Sequence, residues 1–99
     1  LGAHPKFFVK VVDRIMEQVQ NMNRELVECT KPNDSAQVLK ISEDRLALMI
    51  ILEVLVRMDS TLGRNHATVL GGFLKDHAKT PLEVSFQNSV QLVLCHVIP

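Results

Sequence analysis

The chain has no tryptophan and no tyrosine, and its only aromatics are four phenylalanines among 99 residues. Aliphatic side chains must therefore fill most of any core. Cysteine is scarce too. Cys29 and Cys95 stand far apart and form no C-x-x-C pair, which excludes a disulfide-dense scaffold and a zinc-knuckle motif. Two free thiols fit a reducing compartment, so an intracellular location, cytoplasmic or nuclear, is expected. A bond joining the two cysteines is the alternative.

An excess of either charge is also missing. Eleven acidic and eleven basic residues balance to zero, and the basic ones form no run. Nothing offers the dense cationic face that phosphate backbones require, so no nucleic-acid partner is expected. No apolar run reaches the roughly 20 residues of a membrane span. The start, "LGAHPKFFVK", lacks the apolar region and small-residue cleavage site of a signal peptide.

What is present is apolar content. Hydrophobic residues make up 46% of the chain, and the mean hydropathy is +0.12. A chain of this length forms one domain and buries roughly 60–65% of its unfolded surface. The excess implies that something besides this chain covers part of its apolar surface. The chain does not begin with Met, and it stops within the apolar "LVLCHVIP". It reads as a single helical domain, 1–99, excised from a larger protein.

Four helical segments can be marked out. In the first, Pro5 to Cys29, the residues Phe8, Val12, Ile15, Val19, Met22, Leu26 and Cys29 recur at steps of four and three, making one continuous stripe. Val9, Met16 and Val27 form a second set within about 20° of each other at about 100° per residue, which either widens the core face or offers a partner contact. "TKPNDSAQ", Thr30 to Gln37, breaks the helix, and 36–41 reads equally as a helical turn or an extended link. The second helix is expected from Ser42, as N-cap, to Met58. It contains "LALMIILEVLVRM", in which only Glu53 and Arg57 are polar. This stretch is expected to be the central helix, packed on more than one side. Glu53 and Arg57 are spaced for a helical ion pair in the favourable order. They mark either its one wet edge or a polar contact inside an interface.

The third helix is expected between Ser60 and His77, with Asn65 as N-cap. Gly71 and Gly72 inside it imply close packing or a break. The fourth begins at "TPLE", which places Thr80 at N-cap, Pro81 at N1 and Glu83 at N3, a capping box. Leu82, Phe86, Val90, Val93 and Val97 then form a stripe that Leu94 and Ile98 broaden.

The chemistry of catalysis is absent from the pattern. His4, His66, His77 and His96 show no H-x-x-x-H or HExxH spacing, no G-x-S-x-G elbow surrounds a serine, and the carboxylates do not cluster. The glycines lack a GK[ST] continuation. No enzyme, cofactor or metal site is expected. "HPKFFVKVVDRIMEQVQNMNRELVE" resembles the first helix of BAG-type chaperone cofactors. "LEVLVRM" to "LGGFLK" is similar to small helical modules of transcription elongation factors. Each resemblance covers a fragment, and neither transfers a functional residue.

The expected fold is all-α, a compact bundle of four or five mostly antiparallel helices. The expected function is protein–protein interaction or self-association within a larger scaffold or regulatory protein. The partner is another protein or a second copy, giving a homodimer. The candidate contact residues are Val9, Met16, Val27, Glu53, Arg57, Val93, Val97 and Ile98. Two alternatives stand beside this reading: a fragment of an α-helical repeat solenoid and a small apolar-ligand-binding helical domain.

Overall fold

A computed structural model of the chain describes residues 5–29, 31–75 and 79–98. These are mostly helical and include no strand. The elements are α1 (Pro5–Glu28), a 3-10 turn (Pro32–Asp34), α2 (Ser35–Met58), a 3-10 segment (Ser60–His66), α3 (Ala67–Gly72) and α4 (Pro81–Val97). Among the described residues four α-helices form the bundle, and its extents are 47 × 23 × 18 Å. The two helices of 24 residues, each about 36 Å long, set the long axis.

In α1 the periodic stripe supplies the core as expected, but only its middle is covered. Val12, Ile15 and Val19 are buried, while Phe8, Met22, Leu26 and Cys29 are half-buried. After α1, Pro32 starts a single 3-10 turn in which the Asp34 carboxylate accepts from the Lys31 backbone N–H at 3.3 Å.

The second helix begins at Ser35 rather than Ser42. Val38 and Ile41 continue the spacing that runs on through Arg45, Met49, Leu52 and Val56, so an apolar stripe already exists upstream of Ser42. Helix propagation past an established turn outweighs a local capping preference. Ser42 is consequently a buried residue within α2. The 36–41 stretch belongs to the helix and forms no separate element.

The third helix, by contrast, is shorter than expected. Residues 60–66 wind as 3-10, with Asn65 inside that segment, and α3 starts only at Ala67. The Asp59 carboxylate caps the 3-10 segment by accepting from the Thr61 backbone N–H at 3.1 Å and from its hydroxyl at 2.6 Å. These bonds, the hydroxyl's first, hold the Asp59 carboxyl below its ordinary range. Gly71 and Gly72 end α3, and a Cβ on either would meet nothing within 4 Å. They act as the break and not as a packing contact. His77, where the third helix was expected to stop, lies outside the described residues, as do His4, Thr30 and Asp76.

α4 starts as expected: the Thr80 hydroxyl accepts from the Glu83 backbone N–H at 3.2 Å, and Pro81 opens the helix. Only half the capping box forms, because the Glu83 carboxylate turns inward to Arg45.

α2 stands in the middle. It packs against α1 on one side and α4 on the other, and among the described residues those two do not meet at backbone distance. The core gathers Val12, Ile15, Met16 and Val19 from α1 with Met49, Leu52 and Val56 from α2. Leu70 of α3 and Phe86, Val90, Val93 and Val97 of α4 complete it. The 3-10 segment closes one end through Gly63. A Cβ there would lie 2.6 Å from Val97 Cγ1 and 2.9 Å from Val56 Cγ1, so only glycine lets the backbone approach α2 and α4 this closely.

Candidate functional site

The six buried positions of α2 occupy one side of the helix: Ile41, Ser42, Arg45, Met49, Leu52 and Val56. On a wheel of about 100° per residue, Ala47, Ile50, Ile51, Val54 and Met58 centre roughly opposite that side. No described element covers them. Ile50 and Ile51 are each 49% exposed, Val54 40% and Met58 56%, and Ala47 is exposed as well. α2 is the central helix and is packed on more than one side, by α1 and α4, but among the described residues α3 does not meet it at backbone distance and its outer face stays uncovered. α1 and α4 take the flanks of the inner face, and neither α3 nor the 3-10 segment reaches the outer one. The helix is apolar on two faces, and one of them meets solvent.

Glu53 and Arg57 lie at the α4 edge of this outer face. Arg57 Nη2 donates to Glu53 Oε1 at 3.1 Å, and His96 Nε2 of α4 lies 2.9 Å from Glu53 Oε2. The side chain of Glu53 is 16% exposed and that of Arg57 is 59% exposed. Glu53 thus bridges two helices, while most of Arg57 remains in water.

The other candidate contacts separate. Met16 is 1% exposed, Val93 0% and Val97 4%, so all three are core residues closed to a partner. Val9 is 44% exposed and Val27 77%. They sit about 27 Å apart along α1, with buried Met16 between them, and do not make one patch. The reason is that α1's core face is wider than its primary stripe, and Met16 lies on the side turned to the other helices. Ile98, at 54% exposure, stands just beyond α4.

A second feature, Arg45, has a role that sequence reasoning missed. It is 4% exposed. Its Nη1 donates to Asn23 Oδ1 of α1 at 2.6 Å, its Nη2 pairs with the Glu83 carboxylate of α4, and its guanidinium lies 3.8 Å from the centre of the Phe86 ring. Its Nε is buried without a partner. Arg45 thereby ties α1 to α4 across α2, at the end of the bundle where the aliphatic core gives out. The available signal is its place in the apolar spacing Ile41, Arg45, Met49. A charge in that register must either interrupt the core or be paired within it.

Beside Arg45 opens a cleft of about 650 Å³. Leu26, Val38, Phe73 and Phe86 give it apolar walls, and Lys75 and Lys79 stand at it. Cys29 also lines it, but partial burial, and then the carboxylates of Asp34, Glu25 and Glu28, push its thiol upward and make it a poor nucleophile. Both cysteines are free thiols. Among the described residues no three metal-ligating side chains come together, and no helix is long and apolar enough to cross a membrane. The chain matches no protein-family model, no curated protein and no solved structure.

Proposed function

We propose that this is a non-enzymatic protein–protein interaction or self-association domain of a larger scaffold or regulatory protein, and that the outer face of α2 is its contact surface. The observation that carries this reading is the uncovered stripe Ala47, Ile50, Ile51, Val54 and Met58, on the side of the helix away from the core. Interface centres are apolar and poor in charge, with polar groups at the rim. Along this stripe Arg57 is the charge at the edge, and Glu53 is drawn aside to His96. A membrane surface is the poorer match, since that role calls for a basic polar face. The same reading takes the four helices as mostly antiparallel neighbours and the compartment as intracellular, supported by the two free thiols.

The test places a photo-crosslinking benzoylphenylalanine at Ile51 or, as a control, at exposed Arg14 of α1. Irradiation, of the purified chain and of the chain in cell lysate, gives a protein adduct from position 51 and none from 14. Adduct yields that are equal at the two positions, or absent at both, would remove the outer face as a contact surface.

The cleft beside Arg45 supports a second reading, a site for a small apolar ligand held between α1, α2 and α4. Raised thermal stability with one member of a fatty-acid and aromatic-acid panel would support it, and an unchanged melting temperature across the panel would exclude it.

A further inference from the structure

The outer stripe of α2 runs from Ala47 to Met58, about 17 Å along the helix. Its flanking charges are arranged unevenly. Glu43 is exposed one turn before the stripe and makes no ion pair among the described residues. Arg57 is exposed at the other end, with one of its donors used by Glu53. On the helical wheel Glu43 and Arg57 fall about 40° apart, both on the Ile50 side of the stripe's centre. They are also equidistant in sequence from Ile50.

This pattern is self-complementary. We infer that the outer face of α2 binds a second copy of this chain, with the two α2 helices antiparallel about a two-fold axis passing between Ile50 and Ile51. The inference rests on the interaction reading above and names its occupant. In an isologous contact each residue meets its symmetry mate's partner. Ile50 then lies beside Ile51 of the second copy, and Ala47 beside Val54. In that register Glu43 is level with Met58 of the second copy, one residue or about 1.5 Å along the helix from Arg57. A two-fold axis perpendicular to the helices brings like edges together, so Glu43 comes within reach of Arg57 of the second copy, and the pair occurs twice. A parallel arrangement would set Arg57 level with Arg57 and Glu43 level with Glu43, and would lose both attractions. Ala47 against Val54 keeps side chains small on either side of the centre, which suits a helix–helix separation of about 8–10 Å. The exposed apolar area amounts to roughly 400 Å² per protomer, about half of a standard interface's share, so the dimer is weak.

Sedimentation equilibrium of the whole 99-residue chain, from about 10 μM to 1 mM, tests this. The expected result is a monomer–dimer equilibrium with Kd on the order of 100 μM. Ile51→Glu abolishes the dimer and leaves the melting temperature unchanged, because position 51 faces away from the core. Glu43→Lys and Arg57→Glu each weaken it about fivefold, since either puts like charges opposite each other twice. Mixing the two single variants restores wild-type strength. In each heterodimer the introduced lysine faces the introduced glutamate, and the retained Arg57 of one chain faces the retained Glu43 of the other. Should Arg57→Glu unfold beside Glu53, Arg57→Gln supplies the weakened single variant, and Glu43→Gln mixed with it regains one of the two pairs, so strength is restored only in part. A chain that stays monomeric at 1 mM overturns the proposal, and so does a dimer indifferent to Ile51 or a charge-reversed mixture that shows no rescue. A monomeric chain that still forms an adduct from position 51 with another protein overturns only the second copy as occupant, and the interaction reading stands.

Discussion

Replacing Arg45 by Met should destabilise the fold through the loss of a tie between helices, although Met fills much the same space. The guanidinium gives up a hydrogen bond to Asn23, an ion pair with Glu83 and a stack over Phe86. Hydrogen bonds to a charged group are worth about 1.5–3 kcal/mol, and a partly desolvated cation–π contact about 1 kcal/mol. Against this stands the cost of keeping a cation at 4% exposure with its Nε unpartnered, which is several kcal/mol and is relieved by the substitution. Glu83, with 30% of its side chain exposed, can rehydrate when Arg45 is gone. The net loss is about 1–2 kcal/mol for Arg45→Met, and about 3 kcal/mol for Arg45→Ala, which also removes the stem. The chain has neither Trp nor Tyr, so urea unfolding is best followed by circular dichroism at 222 nm. The midpoint should fall by about 1 M for Met, and the melting temperature by about 5–10 °C. A double-mutant cycle with Glu83→Gln should show a coupling of about 1 kcal/mol. Arg57→Met, whose ion pair is solvated, should change stability by less than about 0.5 kcal/mol. An Arg45→Met chain as stable as the wild type, or a cycle in which the two substitutions simply add, would refute the view that Arg45 joins α1 to α4.

Two further outcomes follow from local geometry. Gly63→Ala should cost about 1–3 kcal/mol, because its Cβ would press on Val97 and Val56 inside a packed end. Gly71→Ala, with open space around its Cβ and no positive φ, should stabilise by about 0.5–1 kcal/mol in the same urea assay, and reversal of that order would contradict the packing described. The Asp59 cap makes a pH signature. Its carboxyl is lowered in the folded chain from an ordinary value of 3.8, so its contribution is complete above that value and is lost as pH falls through the lower, folded one. The melting-temperature advantage of wild type over Asp59→Asn should be constant above about pH 5 and shrink toward pH 2, and a difference that ignores pH would rule out the carboxylate as the cap.

Much of the helical architecture can be read locally. The stripe of α1 and the Thr80–Pro81 start of α4 depend on side chains within a few residues of one another, and both form where expected. Ser42 and Asn65 fail as caps for one shared reason. A capping residue offers a hydrogen bond but does not compel the chain to stop. Val38 and Ile41 carry the helix through Ser42, and tight winding between Asp59 and Ala67 takes in Asn65. Of the candidate contacts, Glu53 and Arg57 are legible as a pair from their spacing. Val93 and Val97 are legible as a stripe, but a stripe has the same appearance whether it faces a core or a partner.

What the amino-acid sequence determines by itself is the helical class and an aliphatic core. These follow from composition and from short-range periodicity. α2 marks the limit of that reasoning. It carries apolar residues on two opposite faces, Met49, Leu52 and Val56 on one and Ile50, Ile51 and Val54 on the other, and nothing along the chain says which is to be covered. Only the tertiary packing decides. α1 and α4 close over the face that holds Met49, Leu52 and Val56, where their own apolar stripes meet it, and the Arg45 guanidinium on that face reaches both Asn23 and Glu83. The opposite face is left in water.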